Sequence, residues 1–313
     1  MIMKGLEEAK KFYTECGAKM LEEQFPDYVG RIAVGLVGHG SECFGFDDEL
    51  SRDHDFETGF AMWLTREDEA KIGFKLTRAY DSIKAQYCGA KLEHTSVIGA
   101  NSQGVCVIED FYKKYTGCEG APKTAKDWLF TESEYFAEAT NGAVWRDDLG
   151  VFSGIREQIL NGMPADVRLK KLAARAVRMA QTGQYNYPRC IAHGEDGAAM
   201  LALCDFVRNA VETVFLLNGK HCPYYKWAFK AMRSLEILGD MTAPLEFLLT
   251  ADNDKAGKKV KAEIVEDIAL AVANELKRQG LADCQGNYLE PFGFALQKRI
   301  KSAELRNMHI LVG

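Results

Sequence analysis

Apolar residues near the start of the chain recur at three- and four-residue steps, at Leu6, Ala9, Tyr13, Cys16 and Met20. That spacing places side chains on one face of a helix, so an amphipathic helix packed on a sheet is expected over residues 5–24. The pattern then shortens. RIAVGLVG, residues 31–38, is an apolar run bounded by glycines, which predicts a buried strand leading straight into a turn at Gly40-Ser41. DHDFETGFAMWLT, residues 53–65, is rich in aromatic and apolar positions and predicts a second strand, interrupted near Gly59. Helical character returns over 66–88. KLEHTSV (91–97) and GVCVIE (104–109), joined by the turn-rich GANSQ, predict a strand pair, with helix resuming at DFYKKY.

From about residue 150 the period is helical throughout. One face carries Leu169, Leu172, Ala176 and Ala180; the next stripe runs through Met200, Cys204, Val207, Val211 and Val214, and a third through Ile264, Ile268, Val272 and Leu276. No strand signal of comparable strength occurs there. The expected architecture is an α/β (α+β) domain with a small mixed sheet over residues 1–120, a connecting segment over 121–148 and an all-α helical bundle over 149–313. The glycine-containing TGCEGAPKT, 116–124, marks the start of the joint. Repeats and low-complexity tracts are absent from the sequence.

Composition narrows the function classes. The 313 residues are 47% hydrophobic and 27% charged, enough for two cores of moderate size. A net charge of -6 argues against a bulk basic surface for nucleic acid but leaves room for a local basic site. No 18-residue apolar run occurs, and the charged, amphipathic MIMKGLEEAKKFY is unlike a secretory signal, so a soluble, cytoplasmic protein without membrane contact is expected. The nine cysteines include no Cys-x-x-Cys pair. Neither a zinc knuckle nor a disulfide framework fits that scatter, and Cys204, inside LALCDFV, is expected to be a small buried hydrophobe.

The chemistry concentrates in GHGSECFGFDDELSRDHDFE, residues 38–57. Gly40 and Gly45 have the glycine spacing of a P-loop, but Phe46 and Asp47 follow where that loop needs Lys and Ser or Thr. Gly38-His39-Gly40 begins like a dinucleotide fingerprint, yet Cys43 stands at its third small position. His54-Asp55 would suit a helical His-Asp phosphohydrolase with His39 as an upstream ligand, but the surrounding DFETGFAMWLT favours a strand. On a strand Asp53 and Asp55 project from one face. Two neighbouring carboxylates repel unless a cation neutralises them, and magnesium suits such a pair because it takes its remaining ligands from phosphates and water. A Gly-Ser turn lets backbone amides approach those phosphates. A solvated acidic loop is the bland alternative; strand, Gly-Ser turn, eleven-residue spacer and Asp-x-Asp in one order outweigh it.

In that order and spacing, Gly40-Ser41 and Asp53-His54-Asp55 resemble the signature of the DNA polymerase beta-like nucleotidyltransferase superfamily. With GSECFGFDDELSRDHDF, GVCVIEDFYKKYTG and CPYYKWAFKAM, nearly the whole chain looks like an uncharacterised bacterial family of that superfamily, with an architecture similar to aminoglycoside nucleotidyltransferases. The resemblance implies transfer of a nucleoside monophosphate from a nucleoside triphosphate, ATP being the expected one, to a hydroxyl of a small-molecule or macromolecular acceptor, with pyrophosphate released. It also implies two magnesium ions held by Asp53 and Asp55, and terminal phosphates held by Gly40 and Ser41. The superfamily usually supplies a third acid from a later strand. Where related enzymes often have Glu this chain has Cys106, and Glu109 and Glu93 are the nearest substitutes. That departure sustains a second reading, a catalytically degenerate nucleotide-binding module with a regulatory or interaction role.

Positive charge for the triphosphate is expected from Lys226, which follows Pro223 near the start of a helix and matches a phosphate-binding lysine of the related enzymes; Lys230, one turn later, is a further candidate. Glu195 and Asp196 in HGEDGAA are explained by favourable acids in a helix's first turn, or else by an acceptor-binding loop.

Overall fold

The computed structural model describes residues 4–48, 58–88 and 103–313. Asp53, Asp55 and Glu93, and the expected strand 91–97, lie outside the described residues. The chain forms an α+β fold of two compact units, the first Met1–Lys123 with Tyr135–Gly162, the second Thr124–Glu134 with Met163–Gly313. Chain order and unit membership thus interleave.

In the first unit, helices α1 (Gly5–Phe12) and α2 (Ala18–Gln24) run together through a π turn at Tyr13–Gly17. Their apolar stripe buries Ala9, Phe12, Tyr13, Met20 and Leu21. Strands β1 (Ala33–Leu36) and β2 (Ala61–Leu64) are antiparallel, with Gly35 opposite Ala61. Helix α3 (Arg66–Cys88) connects β2 to β3 (Gly104–Val107), which runs parallel to it and sets Cys106 beside Trp63. Helix α4 (Ile108–Thr116) follows; α5 (Ala125–Phe130) and the start of α6 (Ser133–Thr140) belong to the second unit, and the rest of α6 to the first. Strand β4 (Ala143–Arg146) then returns antiparallel to the free edge of β1, giving the order β3-β2-β1-β4. Helix α7 (Val151–Asn161) closes the unit.

Alternation along β2 builds two layers. Phe60, Met62 and Leu64 join Val34 and the helix residues Phe12, Leu21, Ile72 and Leu76 in one buried cluster. Trp63 is directed the other way, stacked on Phe152 of α7 with ring centroids 4.1 Å apart and in edge contact with Phe111 of α4.

Among the described residues the second strand is Ala61–Leu64, after Gly59, and positions 53–57 of the expected run lie outside them. Two expectations are corrected here. The strand expected to reach Glu109 ends at Val107, because Ile108, Phe111, Tyr112 and Tyr115 are buried at helical spacing and Glu109 and Asp110 fall in the first turn of α4, where acids oppose the helix dipole favourably. The segment expected to be a connector contains β4. Its cue was Asn141-Gly142 ahead of AVW, a turn dipeptide before a short apolar run. Gly142 has φ +61°, and a Cβ there would lie 1.9 Å from the Leu36 carbonyl oxygen, so only glycine lets β4 meet β1.

The second unit is all-helical among its described residues. Helix α8 (Ala165–Met179) continues through a π turn (Ala180–Asn186) into α9 (Tyr187–Ala192). Next come α10 (Asp196–Leu217), α11 (Tyr225–Met232), α12 (Thr242–Thr250), α13 (Lys255–Arg278), α14 (Leu289–Lys298) and α15 (Ala303–Asn307). Leu172 and Ala176 of α8, Phe206 and Ala210 of α10, Ile268 and Val272 of α13, and Phe292 and Leu296 of α14 share one core. Cys204 is exposed, contrary to expectation, because α10 turns its Ala199, Leu203, Phe206 and Ala210 edge inward and Cys204 stands at the margin of that stripe. Asp196 falls in the first turn of α10 and pairs with Lys258 at 2.7 Å, while Glu195 stands at the N-cap. No described helix is long and apolar enough to cross a membrane.

Because Phe152 is fully buried and carries the stack on Trp63, Phe152→Ala should destabilise the first unit by about 3–5 kcal/mol. Urea unfolding followed by near-ultraviolet circular dichroism would measure the loss.

Candidate functional site

The residues between β1 and the acidic segment form a compact turn rather than an open loop. The Gly38 amide donates to Asn141 Oδ1 at 2.8 Å, and Asn141 Nδ2 donates to the Gly38 carbonyl at 2.7 Å, so one side chain satisfies both backbone groups as a paired strand would. Farther on, the Ser41 carbonyl accepts from the amides of Phe44 and Phe46, and the Cys43 carbonyl accepts from the Gly142 amide at 2.7 Å. Cys43 is buried, and burial pushes its thiol well above the ordinary range. The turn is thereby fixed to both ends of the β1–β4 connection.

Within it, Gly40 has φ +128°, a backbone state that side chains disfavour. The amides of Gly40 and Ser41 and the Ser41 hydroxyl donate no hydrogen bond among the described residues. Two unpaired amides and a hydroxyl on a tight turn form an anion-binding concavity. The Glu42 carboxyl folds back over Gly40, with its atoms 2.4–2.6 Å from where a Cβ would stand. Asp47 is buried, and its Oδ2 accepts from the Gly5 amide at 2.8 Å at the start of α1. Its role is to hold the end of the turn against that helix.

His39, Glu138 and Lys114 also belong here, and sequence reading did not assign them to this site. His39 Nδ1 lies 3.1 Å from Glu138 Oε1. The hydrogen bond to Glu138 raises the imidazole pKa, against burial and the nearby positive charge of Lys114. Lys114, on α4, also acts electrostatically on the Cys106 thiol and has no carboxylate within ion-pair distance among the described residues. It is an exposed cation whose charge is felt at His39, the residue before Gly40. Its signal in the sequence was weak, one lysine of a Lys-Lys pair on a helix that the pattern did place.

The remaining candidates are distributed as follows. Glu109 sits in the first turn of α4, its Oε1 3.4 Å from the Arg66 amide and its Oε2 buried without a hydrogen-bond partner. Cys106 shares a sheet face with Trp63, and burial pushes its thiol up to about 11, so it is neutral at pH 7. Lys226 is the second residue of α11, as expected, with its ammonium 5.0 Å from the Trp227 ring centroid. Lys230 lies one turn on in the same helix. Both lysines belong to the second unit, whereas Gly40, Ser41, Glu109 and Cys106 belong to the first. No three His, Cys, Asp or Glu side chains among the described residues converge as around a metal ion.

A family model described as a domain of unknown function (DUF4037) matches residues 128–228. The match begins in α5 and ends within α11, so it takes in β4, Glu138, Asn141 and Lys226 but neither the Gly-Ser turn nor the paired aspartates. No curated protein and no solved structure matches the chain.

Since Glu138 raises the His39 pKa, Glu138→Gln should bring it down toward the ordinary imidazole value in an NMR titration. A raised folded-state pKa contributes stability that is present below the unfolded imidazole pKa and is lost as pH rises through the raised one.

Proposed function

We propose that the chain is a magnesium-dependent nucleotidyltransferase that moves a nucleoside monophosphate from a nucleoside triphosphate, ATP being the expected one, to an acceptor hydroxyl, releasing pyrophosphate. The observation that carries this reading is the Gly38–Gly45 turn, which leaves β1 with the Gly40 and Ser41 donors unpaired. It stands at the end of the sheet where antiparallel β2 begins. Asp53 and Asp55 precede β2 in the sequence, so strand, Gly-Ser turn, paired acids and returning strand follow in the order the chemistry requires.

The chain's own groups would divide the work. Gly40, Ser41 and Lys114 suit the terminal phosphates; Lys226 and Lys230, the lysines expected from the sequence to hold phosphate, stand on α11 of the second unit. Asp53 and Asp55 would hold the magnesium ions, with Glu109 or Glu93 as the third acid. Bound magnesium would offset charge on the phosphates and on the departing pyrophosphate. Glu42, which covers Gly40, would have to yield its place to the phosphates.

The neutral Cys106 thiol favours a second reading, nucleotide binding without transfer, because an uncharged thiol does not replace a carboxylate as base. Pyrophosphate release from labelled nucleoside triphosphates, with magnesium and a metabolite extract, separates the two. Under the first reading Asp53→Ala and Asp55→Ala each lower turnover by at least about a hundredfold, the scale of losing one preorganised charge-stabilising group. Lys114→Ala should raise KM for the nucleotide about tenfold, with a smaller effect on kcat. Equal release by wild type and both aspartate variants would sink the site assignment. Calorimetric nucleotide binding without any release would favour the module.

A further inference from the structure

The second unit contains a cavity of about 520 Å³, within the size range of small-molecule sites. Helix α8 contributes Lys171 and Arg175 to its wall, and α10 contributes Cys204, Val207, Arg208, Val211 and Glu212, a single helical face. Phe229 of α11 and Leu249 of α12 complete an apolar side.

Charge in this wall is unequally answered. Arg175 is occupied, with Nε 2.6 Å from Glu212 and one terminal nitrogen 2.6 Å from the Gly313 carbonyl. Lys171 is 7% exposed, and its ammonium donates to one acceptor, the Thr131 carbonyl at 3.2 Å, with no carboxylate within ion-pair distance among the described residues. Burial, together with repulsion from Arg175, lowers its pKa to about 8. A lysine ammonium has three donors, and burying one without a counter-charge is costly. Arg208, at the exposed margin, makes no hydrogen bond or ion pair among the described residues. Two cations therefore lack a directly paired anion in a cavity walled largely by apolar side chains, Glu132 and Glu212 acting on Lys171 only beyond ion-pair distance. The same wall includes Glu132, Glu134 and Glu212, which would repel a doubly charged group.

We infer that this cavity binds a small amphipathic monocarboxylate, with the carboxylate on Lys171 and Arg208 and the hydrocarbon body against Val207, Val211, Phe229 and Leu249. The site owes nothing to Asp53 or Asp55, and its occupancy can be read without any transfer step.

The probe is 4-phenylbutyrate, compared with its neutral amide and with phenyl phosphate. The readout is the alkylation rate of Cys204, resolved by peptide mass spectrometry in the full chain. The carboxylate should slow that rate at least fivefold at saturation, and the amide should not. Lys171→Met gives up the Thr131 hydrogen bond together with a buried charge; with its fold checked by circular dichroism, it weakens carboxylate binding by roughly tenfold to a hundredfold in calorimetry, the scale of a charge-assisted hydrogen bond. Three results would overturn the inference: an unchanged Cys204 rate at about 20 mM carboxylate, far above useful affinity; equal protection by the amide; or tighter binding of phenyl phosphate than of the carboxylate. The wild-type comparison decides the matter even if the variant fails to fold.

Discussion

Helix α8 holds the second unit together by donating from its cations to main-chain carbonyls. Arg168 reaches Leu216 and Leu217 at the end of α10, Lys170 reaches His309, Lys171 reaches Thr131, Arg175 reaches Gly313 and Arg178 reaches Leu311. The terminal carbonyls of a helix and those of an irregular tail lack internal partners, and leaving them unsatisfied in a partly buried position costs more than an ordinary hydrogen bond returns. One helix thus answers three segments. Lys170 is fully buried among them, its pKa lowered to about 8 by burial. Lys171 belongs to the same set but has donors to spare, and the cavity's ligand chemistry follows from that surplus.

The first unit depends on a comparable economy at smaller scale. Asn141 satisfies both backbone groups of Gly38, and Gly142 allows β4 to approach Leu36. Between Val34 and Gly35 the β1–β4 register shifts, a bulge that gives β4 one extra residue. Trp145 stacks on Tyr13 at the π turn between α1 and α2. These contacts secure the Gly-Ser turn from behind, so that its outward amides are available to a ligand without the turn itself being loose.

Much of this was legible in residue order. The stripe through Ala9, Tyr13 and Met20, the run around Val34, and the faces of α8, α10 and α13 were all set by period, since apolar residues at steps of two or of three and four have few other ways to leave water. Position Lys226 at a helix start was legible from Pro223. Less legible was Cys204, because a residue at the margin of an apolar stripe faces in or out according to its neighbours. The same holds for Glu109: VIED continues a strand pattern as well as it starts a helix, and only the burial of Phe111 and Tyr115 on one face decides between them.

The sequence by itself determined the helical character of the second half and the small sheet of the first, because these follow from local period, and it set the chain order of Gly-Ser and Asp-x-Asp. Tertiary structure alone decided that β4 joins the sheet from what looked like a connector, that α7 packs on Trp63, and that His39 meets Glu138 across 99 positions. It also decided which lysines are satisfied. Long-range partners are invisible to a local pattern, since the free energy that selects them is realised only when distant segments are buried together.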